Sequence, residues 1–157
     1  PLMISLDANF SEVHPDIVLK PSPLSRENWP KPYSPVFQYR WDDAYQAVRK
    51  EKVHEYSNPL TGGPIMPTIG ARLELIEGTT AAKRHTGSVI YQVAAGRGWS
   101  EIGEMSGGRR FEWEEKDIFC VPSWTLYRHG ADEEAVLFSF NDLPAMRALG
   151  LYREAAQ

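Results

Sequence analysis

Two blocks of sequence decide the fold of this chain. The first reads Lys83-Arg84-His85-Thr86-Gly87-Ser88-Val89 and is followed seven residues later by Gly96. The second reads Ile118-Phe119-Cys120-Val121-Pro122-Ser123-Trp124 and is followed by Tyr127. The mostly apolar run that begins at Val89 ends at Gly96, and the apolar run that begins at Ile118 ends at Pro122, which is the pattern of β-strands joined by turns.

Similar runs extend on both sides of these blocks. They predict strands at Thr68–Ile76, Ser88–Ala94, Gly98–Ile102, Arg110–Trp113, Asp117–Val121, Thr125–His129 and Ala135–Asn141. A turn-rich loop, Asn58-Pro59-Leu60-Thr61-Gly62-Gly63-Pro64, precedes them. Strands spaced about ten residues apart with Gly-rich turns indicate an antiparallel sandwich or barrel, so we predict an all-β fold of the jelly-roll type.

Short helices and a proline-rich arm flank the predicted barrel. Asp42–Lys52 has helical apolar spacing, acidic residues at its start and basic residues at its end. Pro144–Tyr152 is predicted to be a second helix, with Met146, Leu149 and Leu151 facing inward. Prolines interrupt residues 1–40, and the aromatic residues there indicate an arm packed on a partner surface. The predicted division is arm and helix (1–55), barrel (56–143), and C-terminal helix and tail (144–157).

The bulk properties exclude several classes of function. With 157 residues and a net charge of −4, the chain fits one domain and lacks the basic surface of a nucleic-acid-binding protein. No apolar run reaches the roughly 20 residues of a membrane span. The single cysteine, Cys120, allows no internal disulfide and indicates a cytoplasmic protein, and its apolar neighbours predict a buried side chain. Because the chain begins Pro1-Leu2-Met3-Ile4, we expect it to be a piece of a longer protein.

The spacing of the two blocks resembles the metal motif of a cupin barrel. That motif has His-x-His, a Glu four residues on, and a later His five residues after a proline; here the positions read Lys83, His85, Val89 and Tyr127. Lys83 offers only donors and a positive charge beside a metal, Val89 offers no ligand atom, and Tyr127 is a weak ligand at neutral pH. His129 lies two residues beyond Tyr127 and is expected to share its face.

Two interpretations of these residues stay open at this point. His85, Tyr127 and His129 are the candidate metal ligands, because they are expected to converge inside the barrel. The interpretation that we favour is a hydrogen-bonded polar plug of Lys83, His85 and Tyr127, with no metal in this domain.

No Gly-x-Ser-x-Gly sequence and no usefully spaced Cys/His pair supports nucleophilic hydrolysis. The five tryptophans fit either an aromatic-substrate pocket or structural packing.

Longer motifs resemble the C-terminal half of the gentisate 1,2-dioxygenase family, which includes salicylate and 1-hydroxy-2-naphthoate dioxygenases. They are Tyr56-Ser57-Asn58-Pro59-Leu60-Thr61-Gly62-Gly63-Pro64-Ile65-Met66-Pro67-Thr68-Ile69, Arg84-His85-Thr86-Gly87-Ser88-Val89-Ile90-Tyr91, Val121-Pro122-Ser123-Trp124, Leu137-Phe138-Ser139-Phe140-Asn141-Asp142 and Leu149-Gly150-Leu151-Tyr152-Arg153-Glu154. The resemblance spans nearly the whole chain in order. This chain departs from the family at Lys83 and Tyr127, where the second cupin often has histidine.

The resemblance implies a two-cupin, commonly tetrameric enzyme that cleaves a hydroxylated aromatic carboxylate with O2. Fe(II) would be held by three histidines of the N-terminal cupin, which is not in this sequence, so no catalytic residue is assigned here and the substrate-binding residues stay unknown. The expected partners of this domain are that catalytic cupin and the other subunits. The alternatives are a stand-alone small-molecule-binding cupin and a cupin oxygenase with a reduced metal site around His85.

Overall fold

The structure, a computed structural model, describes residues 36–104 and 107–156. Most of the predicted proline-rich arm, and with it Trp29, lies outside the described residues. The helices are α1 (Trp41–Glu51) and α2 (Leu143–Ala148). The strands are β1 (Val53–Glu55), β2 (Gly70–Thr79), β3 (Lys83–His85), β4 (Val89–Ala95), β5 (Arg97–Ile102), β6 (Arg109–Glu114), β7 (Ile118–Val121), β8 (Tyr127–Asn141) and β9 (Glu154–Ala156). Among the described residues, no helix is long and apolar enough to cross a membrane.

The long strand β8 organises an antiparallel sheet that curls around one core. It pairs with β2 on one side and with β4 and β5 on the other. β6 extends the sheet beyond β5, β7 extends it beyond β4, and β3 lies between β8 and β9. The strands alternate inward and outward side chains, so the inward residues of all these strands meet inside the curl. The antiparallel barrel expected from the sequence is thereby observed.

Apolar side chains pack on both sides of the sheet. The inner cluster consists of Ile76, Val89, Tyr91, Val93, Trp113, Val121, Tyr127, Ala131, Ala135 and Leu137. On the outer face, Ala44 and Val48 of α1 pack against Leu73 and Val136. The predicted helix is confirmed within one residue at each end. Because α1 covers the outer face of β2, the other side chains of that strand point into the barrel.

The sequence predicts two strands separated by a turn between residues 129 and 135, but the structure has no turn there. Thr125–His129 and Ala135–Asn141 belong largely to one strand, β8, which is 15 residues long. The strand stays continuous because β2 follows it with a register shift between Ile76 and Gly78. A bulge of this kind bends the ladder without ending it, so the residues between the two predicted strands lie in the strand itself.

Two further predictions of burial are wrong. Cys120 is exposed, because β7 alternates and places Phe119 and Val121 toward the core instead. The C-terminal helix ends at Ala148, and Leu149 and Leu151 are 71% and 55% exposed. Gly150 has a left-handed φ of 69°, which ends the helix and redirects the chain into β9.

Candidate functional site

The predicted site residues meet inside the barrel, on two paired strands. Lys83 and His85 lie on β3, and Tyr127 and His129 lie on β8, with Lys83 opposite Tyr127 in the ladder. Residues two apart on a strand share a face, so all four side chains are presented to one space. His85, Tyr127 and His129 are buried. The convergence that the sequence predicted is therefore observed.

His85 and Tyr127 form a hydrogen-bonded pair. His85 Nδ1 lies 3.0 Å from the carbonyl oxygen of Gly87, which can only accept, so Nδ1 carries the proton and donates it. Nε2 is then the lone-pair nitrogen, and the hydroxyl of Tyr127, 3.1 Å away, donates to it. Burial lowers the pKa of His85, which favours this neutral form. The lone pair that a metal would need is already used by Tyr127.

Lys83 is held by a buried carboxylate that sequence reasoning missed. Its Nζ lies 3.8 Å from Oε2 of Glu74 and 5.5 Å from the centre of the Tyr127 ring. Of the three residues of the predicted plug, His85 and Tyr127 are hydrogen-bonded to each other, whereas Lys83 contacts the Tyr127 ring and pairs with Glu74. Burial lowers the pKa of Lys83, and the charge of Glu74 opposes that shift.

Arg72 and Glu74 form an ion pair on the inner face of β2. Oε1 of Glu74 contacts Nη2 of Arg72, and both side chains are largely buried. Burial alone would raise the pKa of Glu74, but the charges of Arg72 and Lys83 outweigh it and lower the pKa. Glu74 is therefore ionised at neutral pH. The sequence alone does not identify this pair, because Arg72 and Glu74 alternate with apolar residues as the solvent-facing residues of a strand do.

A second hydrogen-bonded chain fixes His129. Trp113 Nε1 donates to Ser100 Oγ at 2.8 Å, and Ser100 Oγ lies 2.7 Å from His129 Nδ1. After accepting from Trp113, the Ser100 hydroxyl still has one proton and one lone pair, so it can donate to Nδ1 or accept from it. Burial lowers the pKa of His129 to about 4. Nε2 has no hydrogen-bond partner among the described residues.

Three more polar side chains, those of Arg72, Ser139 and Tyr91, lie on adjacent strands. In the ladder, Ser139 pairs with Arg72 on one side and with Tyr91 on the other, so the three form one row across the barrel wall. The Tyr91 ring meets the His129 ring edge-on, with centroids 4.8 Å apart. Burial raises the pKa of Tyr91, which keeps its hydroxyl protonated.

These residues do not fit a three-histidine iron site. Of the four positions of the motif, Val89 is buried without a ligand atom, Lys83 is a cation, and the His85 lone pair accepts from Tyr127. Across the described part of the chain, no group of three or more His, Cys, Asp or Glu side chains is arranged to hold a metal ion. The absence of a metal in this domain stays a prediction.

A surface cavity of about 770 Å³ lies at the β5–β6 end of the sheet. Trp99 and Trp113 line it, and Arg110 lies over the Trp99 ring with its guanidinium carbon 3.9 Å from the ring centre. Two of the five tryptophans thus border a space large enough for a small molecule. Trp41 and Trp124 are half exposed and lie elsewhere.

Several dioxygenases are similar to this chain in sequence. A 5-aminosalicylate 1,2-dioxygenase of Comamonas sp is 34% identical over 149 residues, which cover 85% of this chain and 38% of that relative. A gentisate 1,2-dioxygenase of Aquipseudomonas alcaligenes is 36% identical over 135 residues, 78% of this chain and 38% of the relative. A gentisate 1,2-dioxygenase of Streptomyces sp is 31% identical over an alignment of 188 positions, which covers 98% of this chain and 51% of the relative. No family model matches the chain.

The structural comparison agrees with the sequence comparison. The salicylate 1,2-dioxygenase of Pseudoaminobacter salicylatoxidans superimposes with a TM-score of 0.75 at 27% identity, covering 92% of this chain and 44% of that one. The chain therefore spans about two fifths to one half of the relatives that it matches. The cupin fold predicted from the sequence is confirmed by this match. Over most of its length the chain is homologous to the gentisate 1,2-dioxygenase family, as its motifs indicated.

Proposed function

We propose that this chain is the C-terminal, iron-free cupin of a gentisate-type dioxygenase. In the whole protein, O2-dependent cleavage would open an aromatic ring between a hydroxyl-bearing carbon and its carboxyl-bearing neighbour. Fe(II) in the other cupin would supply the redox chemistry. The observation that carries this assignment is the occupied lone pair of His85, which accepts the Tyr127 hydroxyl proton at 3.1 Å. A catalytic cupin needs that lone pair for its metal.

The length of the relatives supports a missing catalytic half. The gentisate and 5-aminosalicylate dioxygenases named above are two to three times longer than the part that aligns with this chain. In an intact parent, the remaining length has room for another barrel of this size. Aromatic carboxylates are the substrates in the names of these relatives, and we extend that substrate class to the parent of this chain.

The role of this domain would be to hold the catalytic cupin and neighbouring subunits in place. Exposed apolar side chains on neighbouring strands support such contacts, because apolar surface of this kind is commonly covered in an assembly. Ile90 lies opposite both Cys120 and Phe140 in the ladders, and all three side chains are exposed. The free thiol of Cys120 also fits the reducing cytoplasm that we predict for the protein.

Metal analysis of this chain and of the natural gene product tests the assignment. We expect the chain alone to retain far less than one iron per molecule and to show no dioxygenase activity with gentisate or salicylate. A natural product of about twice this length should retain iron and cleave one of these acids. Stoichiometric iron in the chain alone, lost on His85→Ala and kept on His54→Ala, would contradict the iron-free role. It would support the alternative site of His85, Tyr127 and His129.

The cavity at Trp99 favours one further candidate function, binding of a small molecule by this domain alone. Calorimetry with salicylate and metal-free protein tests it. Saturable heat that is lost in Trp99→Ala and kept in Trp124→Ala would support a binding module. If the measured heat equals the heat of dilution, this domain does not bind salicylate. Its proposed role is then only to hold the catalytic cupin and the neighbouring subunits in place.

A further inference from the structure

We propose that an uncharged part of the outer sheet surface is an interface at which two copies of this chain bind each other. The surface, called the neutral face below, consists of the outward side chains of Ile90, Gln92, Ile118, Cys120 and Phe140. The inference specifies one partner for the contacts proposed above. It rests only on the surface of this chain and would stand if the iron-free role were wrong.

The neutral face is one continuous surface on three adjacent strands. β4 lies between β7 and β8, and Ile90 of β4 is opposite both Cys120 and Phe140 in the ladders. Two residues along β4, Gln92 is opposite Ile118. Residues that face each other in a ladder point to the same side of the sheet, so these side chains form two neighbouring rows. The three large apolar members are 46–70% exposed.

Helix α1 covers only the adjoining part of the same surface. Val48 packs on Val136, and Phe138 is partly buried at the border of this cluster. The Phe138 ring meets the Phe140 ring edge-on, with centroids 4.7 Å apart, so the apolar surface continues from the covered part into the neutral face. Contiguous exposed apolar surface of this kind commonly marks an interaction site.

The distribution of charge separates the neutral face from the rest of the outer surface. Ser100 and Trp113 are buried, so the residues next to them in sequence point outward. The outward positions of β5 and β6 are Arg97, Trp99, Glu101, Arg110, Glu112 and Glu114. Five of these six side chains are charged. In contrast, the outward positions of β4, of β7 and of residues 136–140 in β8 carry no charge. Depletion of charge is typical of the centre of a protein interface.

The lack of charge also favours a second copy as the occupant. In a two-fold dimer each surface patch meets the same patch of the partner, so any charge at its centre would meet a like charge. The chain has a net charge of −4, which makes two copies repel each other in general. At the neutral face only apolar and amide side chains would be brought together. Two sheets that stack through apolar faces about 10 Å apart are a common arrangement in β proteins.

Analytical ultracentrifugation of the unaltered chain tests the proposal. We expect a reversible equilibrium between monomer and dimer at concentrations from about 1 to 500 μM, as for an interface of modest affinity. A chain that stays monomeric over the whole range would overturn the proposal.

A matched pair of variants tests the position of the interface. Ile90→Glu places one carboxylate from each copy at the centre of the neutral face and should weaken the dimer about 10-fold or more. Arg97→Gln changes the net charge by the same amount on the charged part of the sheet and should leave the affinity unchanged. Gln92→Glu, a nearly isosteric change at an exposed position, provides the same test if Ile90→Glu does not fold. A dimer of unchanged affinity in the folded variants of the neutral face would contradict the interface.

The thiol of Cys120 reports what covers the neutral face. It is exposed in the single chain, so its rate of reaction with Ellman's reagent should fall as the protein concentration rises and the dimer forms. Glu112→Cys in a Cys120→Ser background is the control, because position 112 lies on the charged part and should react at the same rate at every concentration.

Two results with Cys120 would assign the neutral face to another occupant and overturn the proposal. One is a monomer with an unreactive thiol, which would show that the chain covers the face itself. The other is a longer natural product in which Cys120 is unreactive at every dilution while this chain stays monomeric, which would place the other half of the parent there. Neither readout involves iron, so a failure of this proposal is distinguishable from a failure of the proposed function.

Discussion

The hydroxyl of Tyr127 donates its proton to Nε2 of His85 at 3.1 Å, in the part of the barrel where a cupin motif would present metal ligands. The opposite nitrogen of His85 donates to the Gly87 carbonyl, so both ring nitrogens are used. The imidazole is thereby fixed in one protonation state and one orientation. A histidine that would otherwise be read as a ligand is a structural group in this arrangement.

Loss of the Tyr127 hydroxyl should destabilise the fold. In Tyr127→Phe the His85 Nε2 atom stays buried without a donor, which costs about 1–3 kcal/mol of unfolding free energy. Urea unfolding measures the difference. Tyr45→Phe is the control, because its hydroxyl bonds to Glu134 at the surface of α1 and should contribute less. Equal losses of unfolding free energy in the two variants would show that the hydrogen bond to His85 stabilises the fold no more than the hydrogen bond of Tyr45.

Histidines in place of Lys83 and Tyr127, the two positions at which the second cupin of the family often has histidine, should create a metal site. Lys83→His with Tyr127→His would present three imidazoles with His85, because residues 83 and 127 are ladder partners and 85 shares their face. We expect the double variant to bind Zn²⁺ with at least about 10-fold higher affinity than Lys83→His alone. Competition with a chromogenic chelator gives the affinity. A folded double variant without added affinity would show that these positions do not converge as ligands.

Stability should fall in mild acid because His129 is buried as a neutral base. Its folded pKa of about 4 lies below the unfolded value of 6.5, so the unfolded chain binds more protons between these pH values. The stability from this group is complete above pH 6.5 and falls by about 3 kcal/mol as the pH drops to 4. Urea unfolding across this range should show a flatter pH dependence in His129→Gln than in His54→Gln. Parallel curves for the two variants would contradict the assignment.

Removal of the Glu74 charge should be among the most damaging single changes. Glu74→Gln leaves Arg72 and Lys83 without their buried carboxylate, and breaking a buried ion pair costs about 3–5 kcal/mol. Glu77→Gln, on the same strand, breaks only an exposed pair with Lys52 and should cost less than about 1 kcal/mol. Chemical denaturation of both variants gives the comparison. A combined Arg72→Met and Glu74→Leu variant should recover most of the loss, since it removes both charges together.

Gly130 should tolerate no side chain, because it lies against Trp99. A Cβ atom at this position would be 2.3 Å from the indole ring, so Gly130→Ala must displace Trp99 and should cost about 1–3 kcal/mol. Gly107 has open space around the equivalent position, so Gly107→Ala should stay within about 0.5 kcal/mol of the unaltered chain. Trp fluorescence during unfolding reports both stability and the environment of the indole. An unshifted spectrum in Gly130→Ala would show that the ring has room to move.

Periodicity and turn residues were sufficient to predict most of the fold. The alternation in Ser88–Ala94 and Arg110–Trp113 placed two strands within a residue of their observed ends. The charges at the ends of α1 located that helix equally well. The spacing of His85 and Tyr127 also predicted their meeting, because strand residues two apart share a face and antiparallel neighbours align.

The sequence could not predict which side chains point into the barrel where that depends on which face of a strand is covered by another element. Arg72 and Glu74 alternate like solvent-facing residues, and only the packing of α1 on the opposite face puts them inside. Cys120 lies in an unbroken apolar run, in which the inward face cannot be distinguished from the outward one. Ser139 looks like an ordinary strand residue until the ladder places it between Arg72 and Tyr91.

The pairing of β9 with β3 has a practical consequence for handling this protein. Three residue pairs, Lys83 with Ala156, Arg84 with Ala155 and His85 with Glu154, tie the tail to the strand that carries the polar cluster, whereas β8 contributes one. Thr86 adds two side-chain hydrogen bonds, to Leu151 and Arg153. The tail therefore holds β3 in place. A purification tag belongs at the other terminus, and trimming of the last residues by proteases would loosen the barrel at His85 first.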